Sequence, residues 1–287
     1  METNTLFLTI AGLLPAAILC VYVFLKDQVE REPISLLLKL LLFGAISCIP
    51  AALGEDLLFS IIDGAFGKSI YYNEAGEVLI KSTDFHLYQF ILAFIGVALV
   101  EEFFKWIFLI RVTKDNENFN CLFDGLIYAV FVSLGFAAFE NVLYVLDGGL
   151  RVAILRAILS VPGHMFFGVM MGYHYSIWHI IGKANAMEKS LKAAGKINIA
   201  VPEISYVKHM RLSLLVPIAA HGFYDFCCFV DSPLTTVLLY AFVIFMYVHC
   251  FRKIKRMSIS DASDVGYAKM MLIRKYPLLQ EYIRTEL

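Results

Sequence analysis

The sequence predicts an all-α fold: a polytopic integral membrane helix bundle of about seven transmembrane helices, N-terminus out and C-terminus in. Three observations predict it. Hydrophobic residues make up 60% of the 287 residues and charged residues only 17%, against about 45–50% and about 25% in ordinary globular proteins; the mean hydropathy is +0.72. Seven apolar runs approach or exceed the roughly 20 residues that a spanning helix needs. Lys and Arg in the connections divide 18 to 3 between alternate sides, the bias that marks the cytoplasmic face. This composition excludes a soluble enzyme and a disordered scaffold. The net charge of −1 gives no footprint for nucleic acid, so the partner expected from composition is the lipid bilayer of a cell membrane.

The runs are residues 5–25, 34–54, 87–110, 122–146, 153–181, 212–230 and 233–251. The first lacks a basic segment before it and is longer than the apolar core of a signal peptide, so it reads as a retained helix. Together they make one transmembrane domain, residues 1–256, followed by a cytoplasmic tail, 257–287. Within it, 87–230 is the expected catalytic core, 55–86 an external loop and 182–211 a basic cytoplasmic loop. The external loop opens with an apolar stretch, Leu57–Phe66, expected on the membrane surface. It continues as a hairpin with a turn near Ala75-Gly76. The tail is amphipathic from Asp264 to Ile283. The six cysteines form no C-x-x-C pair and read as small apolar thiols.

The informative residues are ionisable groups inside the spans, each costing roughly 2.5–3.5 kcal/mol to insert and each therefore a functional candidate. The third span carries Glu101, Glu102 and Lys105 in EEFFK. Glu101 and Lys105 lie one turn apart and can pair; Glu102 points to another face. The fourth carries Glu140 and Asn141 in FAAFEN, the fifth His164 in HMFFG, and the sixth His221 and Asp225, one turn apart, in HGFYD. At a rise of about 1.5 Å per residue, Glu101, His164 and His221 fall near mid-bilayer and Glu140 nearer the outer face. Each group has a plainer reading as an ion pair, a buried polar staple or a helix tie, but one polar cavity could gather them all. Gly168 and Gly172 read as a close-packing face, Phe136 and Phe139 as packing, and Lys39 and Arg156 as side chains snorkelling from span ends.

This set permits peptide hydrolysis. A glutamate can accept a proton from water, histidines can hold that water and stabilise the oxyanion, and Asp225 can orient His221 through a hydrogen bond. It also permits a zinc site, with His164, His221, Glu101 and Glu140 as the ligands, although no H-E-x-x-H is present. Ser133 and Ser160 lack a G-x-S-x-G context.

In this order, on successive spans, EEFFK, FAAFEN, HMFFG and HGFYD resemble the four motifs of the PrsW intramembrane proteases. That family is related to the type II C-a-a-X prenyl endopeptidases and the bacteriocin-immunity proteins. The resemblance covers about residues 95–230. It implies that Glu101 and Glu102 are the catalytic acidic pair completed by Lys105, and that Glu140 with Asn141 fills the second motif. It also implies that His164 and His221 are catalytic or water-binding, with Asp225 where the prenyl endopeptidases carry asparagine. The implied activity is cleavage of a single-span membrane protein, such as an anti-sigma factor in regulated proteolysis, in a bacterial membrane. A metal-free glutamic mechanism is favoured, with zinc dependence as the alternative. A proton-coupled transporter would use the same residues as a relay, but no inverted repeat is visible. An inert membrane protein binding a partner through loop 55–86 is the remaining class.

Overall fold

Long apolar runs with few breakers wind into helices that satisfy their own backbone, as a membrane requires. The computed structural model describes residues 2–67, 70–72, 78–198 and 204–287. Ten α-helices follow in order among them: α1 (Glu2–Phe24), α2 (Ile34–Ala65), α3 (Phe85–Ile91), α4 (Leu99–Thr113), α5 (Asp124–Ile158), α6 (Ser160–Ala193), α7 (Ile204–Val230), α8 (Pro233–Ile259), α9 (Asp264–Lys275) and α10 (Gln280–Glu286). Five stretches are long and apolar enough to cross a membrane: Thr5–Phe24, Ile34–Ala65, Asp124–Ala193, Tyr206–Val230 and Pro233–Ile259. The third contains both α5 and α6.

α5 is the axis of the bundle. Every residue from Asp124 to Ala137 is buried, while α1 and α8 expose Leu, Ile, Val and Phe side chains outward, as lipid-facing helices do. α1, α2 and α6 all pack along α5. A Cβ on Gly44 of α2 would collide with the Val132 carbonyl, and one on Gly135 of α5 with the Leu41 carbonyl, so the two helices cross backbone to backbone. Gly168 and Gly172 bring α6 onto Ala129, Ser133, Gly125 and Leu126 of α5, the packing face expected from their spacing.

Several expectations are corrected. Leu57–Phe66 is not a separate surface stretch, because α2 continues to Ala65. Its apolar side chains keep burying surface: Leu58 packs with Val100 and Phe136, and the Tyr88 hydroxyl donates to Asp63 Oδ1 at 2.7 Å near the far end. The run 87–110 is not one regular helix. Residues Leu92–Ala98 form a π-helix between α3 and α4, a wide-turn insertion that rotates the face that follows. The run 153–181 is divided as well. α5 turns at Gly149, whose φ of 70° and ψ of −163° are open essentially to glycine alone, so residues 150–158 are a short arm before α6 begins at Ser160. α6 then runs on to Ala193, making the first part of the basic loop helical.

A hairpin is present, β1 (Ile70–Tyr72) antiparallel to β2 (Val78–Ile80), with Ile70 opposite Ile80; the expected turn near Ala75-Gly76 lies outside the described residues. The amphipathic tail breaks at Tyr276-Pro277. It docks on α6 through Leu191, Leu272 and Ile283 and through Asp264, which meets His179 at 2.9 Å and Lys183 at 3.2 Å. Burial raises the Asp264 carboxyl, but these two partners outweigh it and hold it below the usual range. All six cysteines are free thiols.

Candidate active site

The first turn of α4 follows directly on the π-helix and presents Glu101, Glu102 and Lys105, all buried. Lys105 is completely enclosed. Its ammonium has three protons to donate, and all three find acceptors: Glu101 Oε2 at 2.9 Å, Glu102 Oε1 at 2.8 Å and His164 Nδ1 at 3.1 Å. The same nitrogen sits 4.0 Å from the centre of the Phe136 ring, so Phe136 is more than packing. Lys105 thus pairs with both glutamates, reaching Glu102 at the three-residue spacing although the spacing sets it on another face than Glu101.

The lysine also assigns the histidine tautomer. Because His164 Nδ1 accepts from Lys105, its proton lies on Nε2, which donates to Glu140 Oε2 at 3.0 Å. Glu140 Oε2 also receives Arg156 Nη2 at 2.8 Å, and Arg156 Nε donates to Asn141 Oδ1 at 2.9 Å. Asn141 in turn donates to the Gly12 carbonyl of α1 at 2.6 Å. Arg156 therefore does not snorkel to an interface. The turn at Gly149 folds its arm back over the site, where the guanidinium also lies 4.1 Å from the Tyr144 ring.

His221 of α7 donates from Nδ1 to Glu102 Oε1 at 3.0 Å and is stacked on Phe167 with ring centres 4.7 Å apart. Its Nε2 stands 3.3 Å from Asp225 Oδ2, yet that oxygen makes no hydrogen bond. The expected Asp225–His221 hydrogen bond gives way to a close contact without hydrogen-bond alignment, and Glu102 orients the ring. Glu101, Glu102, His164, His221, Lys105, Glu140, Asn141 and Asp225 thus come together from α4, α5, α6 and α7.

A cavity of about 530 Å³ opens onto this cluster. It is lined by Glu101, His164, His221 and Asp225, but not by Glu102, which is wholly buried. A second cavity of about 430 Å³ lies between α2 and α5 and shares Glu55, Glu101, Glu140 and Tyr144 with the first. Its outer wall includes Ile49, Leu53 and Leu143, all strongly exposed on the lipid-facing side. Glu55 and Arg156 are site residues that sequence reasoning missed. The signal for Glu55 was a carboxylate set between Ala51-Ala52-Leu53-Gly54 and Leu57-Leu58-Phe59, visible only if α2 is carried past residue 54.

One group of three residues among those described gathers possible metal ligands within 4.8 Å: Glu101, Glu102 and His164. The group expected for zinc, with His221 and Glu140, does not form. Moreover, the three donor atoms converge on Lys105 Nζ, so an ammonium stands at the point a divalent ion would take. As arranged, these residues do not fit a metal ion.

Comparison with known proteins points to the same family as the motifs. The model described as PrsW family intramembrane metalloprotease matches residues 32–250. Protease PrsW of Oceanobacillus iheyensis is 32% identical over 246 residues, 86% of this chain and 94% of that protein. Protease PrsW of Geobacillus kaustophilus is 34% identical over 215 residues, 75% and 76% of the two chains. That of Bacillus subtilis is 29% identical over 248 residues, 86% and 93%. No solved structure matches significantly. The chain is a multi-pass cell-membrane protein, and it belongs to the PrsW family of intramembrane proteases.

Proposed function

We propose that this protease hydrolyses a peptide bond of a single-span membrane protein by a metal-free glutamic mechanism, with Glu101 as the base. The observation that carries this reading is the Lys105 ammonium. It binds Glu101, Glu102 and His164 at once, while Glu101 alone of the two adjacent acids faces the cavity. Glu101 takes a proton from water. The water oxygen attacks the carbonyl carbon, and the carbonyl electron pair moves onto oxygen. Arg156 and His221, which both line the cavity, stabilise that oxyanion, His221 as an imidazolium whose Nδ1–H stays on Glu102 while its Nε2–H donates. Collapse breaks the C–N bond as the carboxyl of Glu101 returns the proton to the leaving amine. Glu102 and His164 are positioning residues: one holds His221, and the other has both ring nitrogens engaged. The substrate class implied by the family resemblance is an anti-sigma factor whose helix enters sideways from the lipid. The positive bias of the connections supports an N-out, C-in arrangement.

The test is cleavage of a single-span reporter in proteoliposomes by metal-stripped enzyme. Glu101→Gln should lower kcat by about 10³-fold or more, and Glu102→Gln by about 10–100-fold, with both variants folded. Wild-type activity should survive chelation. Loss of activity on chelation with recovery on added zinc would replace this reading with the metalloprotease one.

A further inference from the structure

At the ends of α6, α7 and α8 away from the catalytic cavity stands a group of cations that the mechanism does not use. α8 carries His249, Arg252, Lys253 and Arg256 in its last three turns. Residues three and four apart share a helix face, so Phe245, His249, Arg252 and Arg256 run down one face, with Val248 and Lys253 beside them. That face is apolar first and basic after. Phe245 and Val248 are strongly exposed among the outward side chains of α8, and the cations follow toward the end of the bundle where Lys and Arg concentrate.

Two cavities lie along this face. One, of about 230 Å³, is lined by Phe245, Val248, His249, Arg252, Lys253 and Arg256. The other, of about 130 Å³, lies between α8, α6 and α7, where His249 and Lys253 meet Met170, Tyr173 and His174 of α6 and Val216 of α7. His249 and Lys253 line both cavities. Lys253 Nζ stands 3.7 Å from the centre of the Tyr173 ring. His174 Nδ1 lies 3.1 Å from His209 Nδ1 of α7, a hydrogen bond that ties α6 to α7 beside the inner cavity.

These cations have no acid to balance them. Among the described residues, the lysines and arginines that form ion pairs are Lys105, Arg156, Lys183 and Lys275; Lys208, Arg252, Lys253 and Arg256 form none. The charges that reach His249 are those of Lys253 and Arg256. Those that reach His174 belong to His209, Lys253 and Lys208. No carboxylate is among them. Like charges crowded beside apolar walls repel one another, and an anion seated between them relieves the repulsion.

The succession of apolar and basic surface selects the anion. A free anion would use the cations alone, and an acidic peptide would leave Phe245 and Val248 uncovered. A phospholipid with an anionic head group uses both parts: an acyl chain along Phe245 and Val248, and a phosphate among Arg252, Lys253 and Arg256. Guanidinium groups suit this task because they can hold two phosphate oxygens at once.

We propose that the α8 face from Phe245 to Arg256, backed by Tyr173 and His174 of α6, binds an anionic phospholipid that fastens α8 to α6 and α7. The site is separate from the catalytic groups: His174 lies ten residues along α6 from His164, about 15 Å at the helical rise.

The test is thermal unfolding of the delipidated full chain in neutral detergent, titrated in separate arms with dioleoyl phosphatidylglycerol, dioleoyl phosphatidylcholine, inorganic phosphate and polyglutamate. Phosphatidylglycerol should raise the Tm of wild type by about 3–8 °C at saturation, and each of the other three by no more than about 1 °C. The double variant Arg252→Gln, Arg256→Gln changes exposed side chains and should lose most of the rise. Lys253→Met keeps an apolar stem on Tyr173 and should need about 5–10-fold more lipid for the same rise. The double variant Lys189→Gln, Lys192→Gln removes as much charge from exposed positions of α6 outside the pocket and should keep the rise intact. The proposal is overturned by no rise with phosphatidylglycerol, by an equal rise with phosphatidylcholine, or by a rise that survives loss of Arg252 and Arg256. An equal rise with inorganic phosphate would overturn it in favour of a free-anion site, and a rise with polyglutamate alone in favour of an acidic protein partner. A rise lost equally in Lys189→Gln, Lys192→Gln would overturn it in favour of net charge without a site.

Discussion

Two buried groups of acids sit near opposite ends of the α5 core and are balanced in opposite ways. Around the cavity, Glu101, Glu102 and Glu140 share the cations Lys105 and Arg156. At the α1–α2 connection, Asp27, Glu32, Asp124 and Asp261 form no ion pair with Lys, Arg or His among the described residues, although the charge of Arg31 is felt at Asp27. Burial pushes Asp27 up to about 6, whereas Asp264 nearby, with His179 and Lys183, is held low. The difference lies in the source of the positive charge. A cation built into the chain locks its acids in one geometry, which a catalytic centre needs. The acids at the α1–α2 connection are held instead by backbone amides, which donate to Asp27 Oδ2, Asp124 Oδ2 and Asp261 Oδ1.

The largest effect therefore belongs to the built-in cation. Lys105→Met leaves Glu101, Glu102 and His164 Nδ1 facing one another with no donor between them. Breaking a buried pair from one side costs about 3–5 kcal/mol. The variant should melt well below wild type and cleave no reporter. A Lys105→Met protein with wild-type Tm and activity would remove the ammonium from the centre of the site. Neutralising Glu32 should go the other way, raising Tm slightly by relieving repulsion from Asp27 and Glu30. Opposite signs for these two substitutions are the direct measure of the contrast.

The catalytic half of this contrast was readable from the sequence because its charges stand in apolar runs, where each is conspicuous. The one-turn spacings placed Glu101 beside Lys105, and Gly168 with Gly172 marked the α5–α6 contact. What was hidden depends on backbone irregularity. The π-helix at Leu92–Ala98 has no sequence pattern of its own, yet it sets the rotation of the Glu101–Glu102 face. The turn at Gly149 returns Arg156 to Glu140 across 16 residues, where hydropathy alone placed it at a span end. Glu55 was assigned to a loop because apolarity falls at Gly54-Glu55-Asp56, while helical hydrogen bonding does not stop there. The acid cluster at the α1–α2 connection was hidden for a different reason. Asp27, Glu32 and Asp261 lie in connections, where acids are ordinary, and only folding shows that they are buried.

Arg156 gives an effect of intermediate size. It reaches the site from an arm outside the four motifs, and its guanidinium touches Glu140, Asn141 and Tyr144. Arg156→Gln should keep the fold but lower kcat by about 10–100-fold with little change in KM, as expected for a group that acts mainly on developing oxyanion charge. Arg156→Lys should recover only part, since one ammonium cannot reproduce the two contacts of the guanidinium. A rise in KM with unchanged kcat would instead make Arg156 a substrate-docking residue.

The smallest effect is expected at Asp225, and it separates the two candidate orienters of His221. Glu102 holds Nδ1 by an aligned 3.0 Å hydrogen bond. Asp225 stands 3.3 Å from Nε2 without hydrogen-bond alignment, and direction matters as much as distance for such a contact. Asp225→Asn keeps the size of the side chain and removes its charge. It should change kcat by no more than about fivefold, whereas Glu102→Gln should lower it by about 10–100-fold. If Asp225→Asn proves as damaging as Glu102→Gln, the Nε2 side of His221 is held during the reaction in a way the resting geometry does not contain. In that case His221 would serve as a relay between two acids, and Arg156 would be the main group acting on the oxyanion.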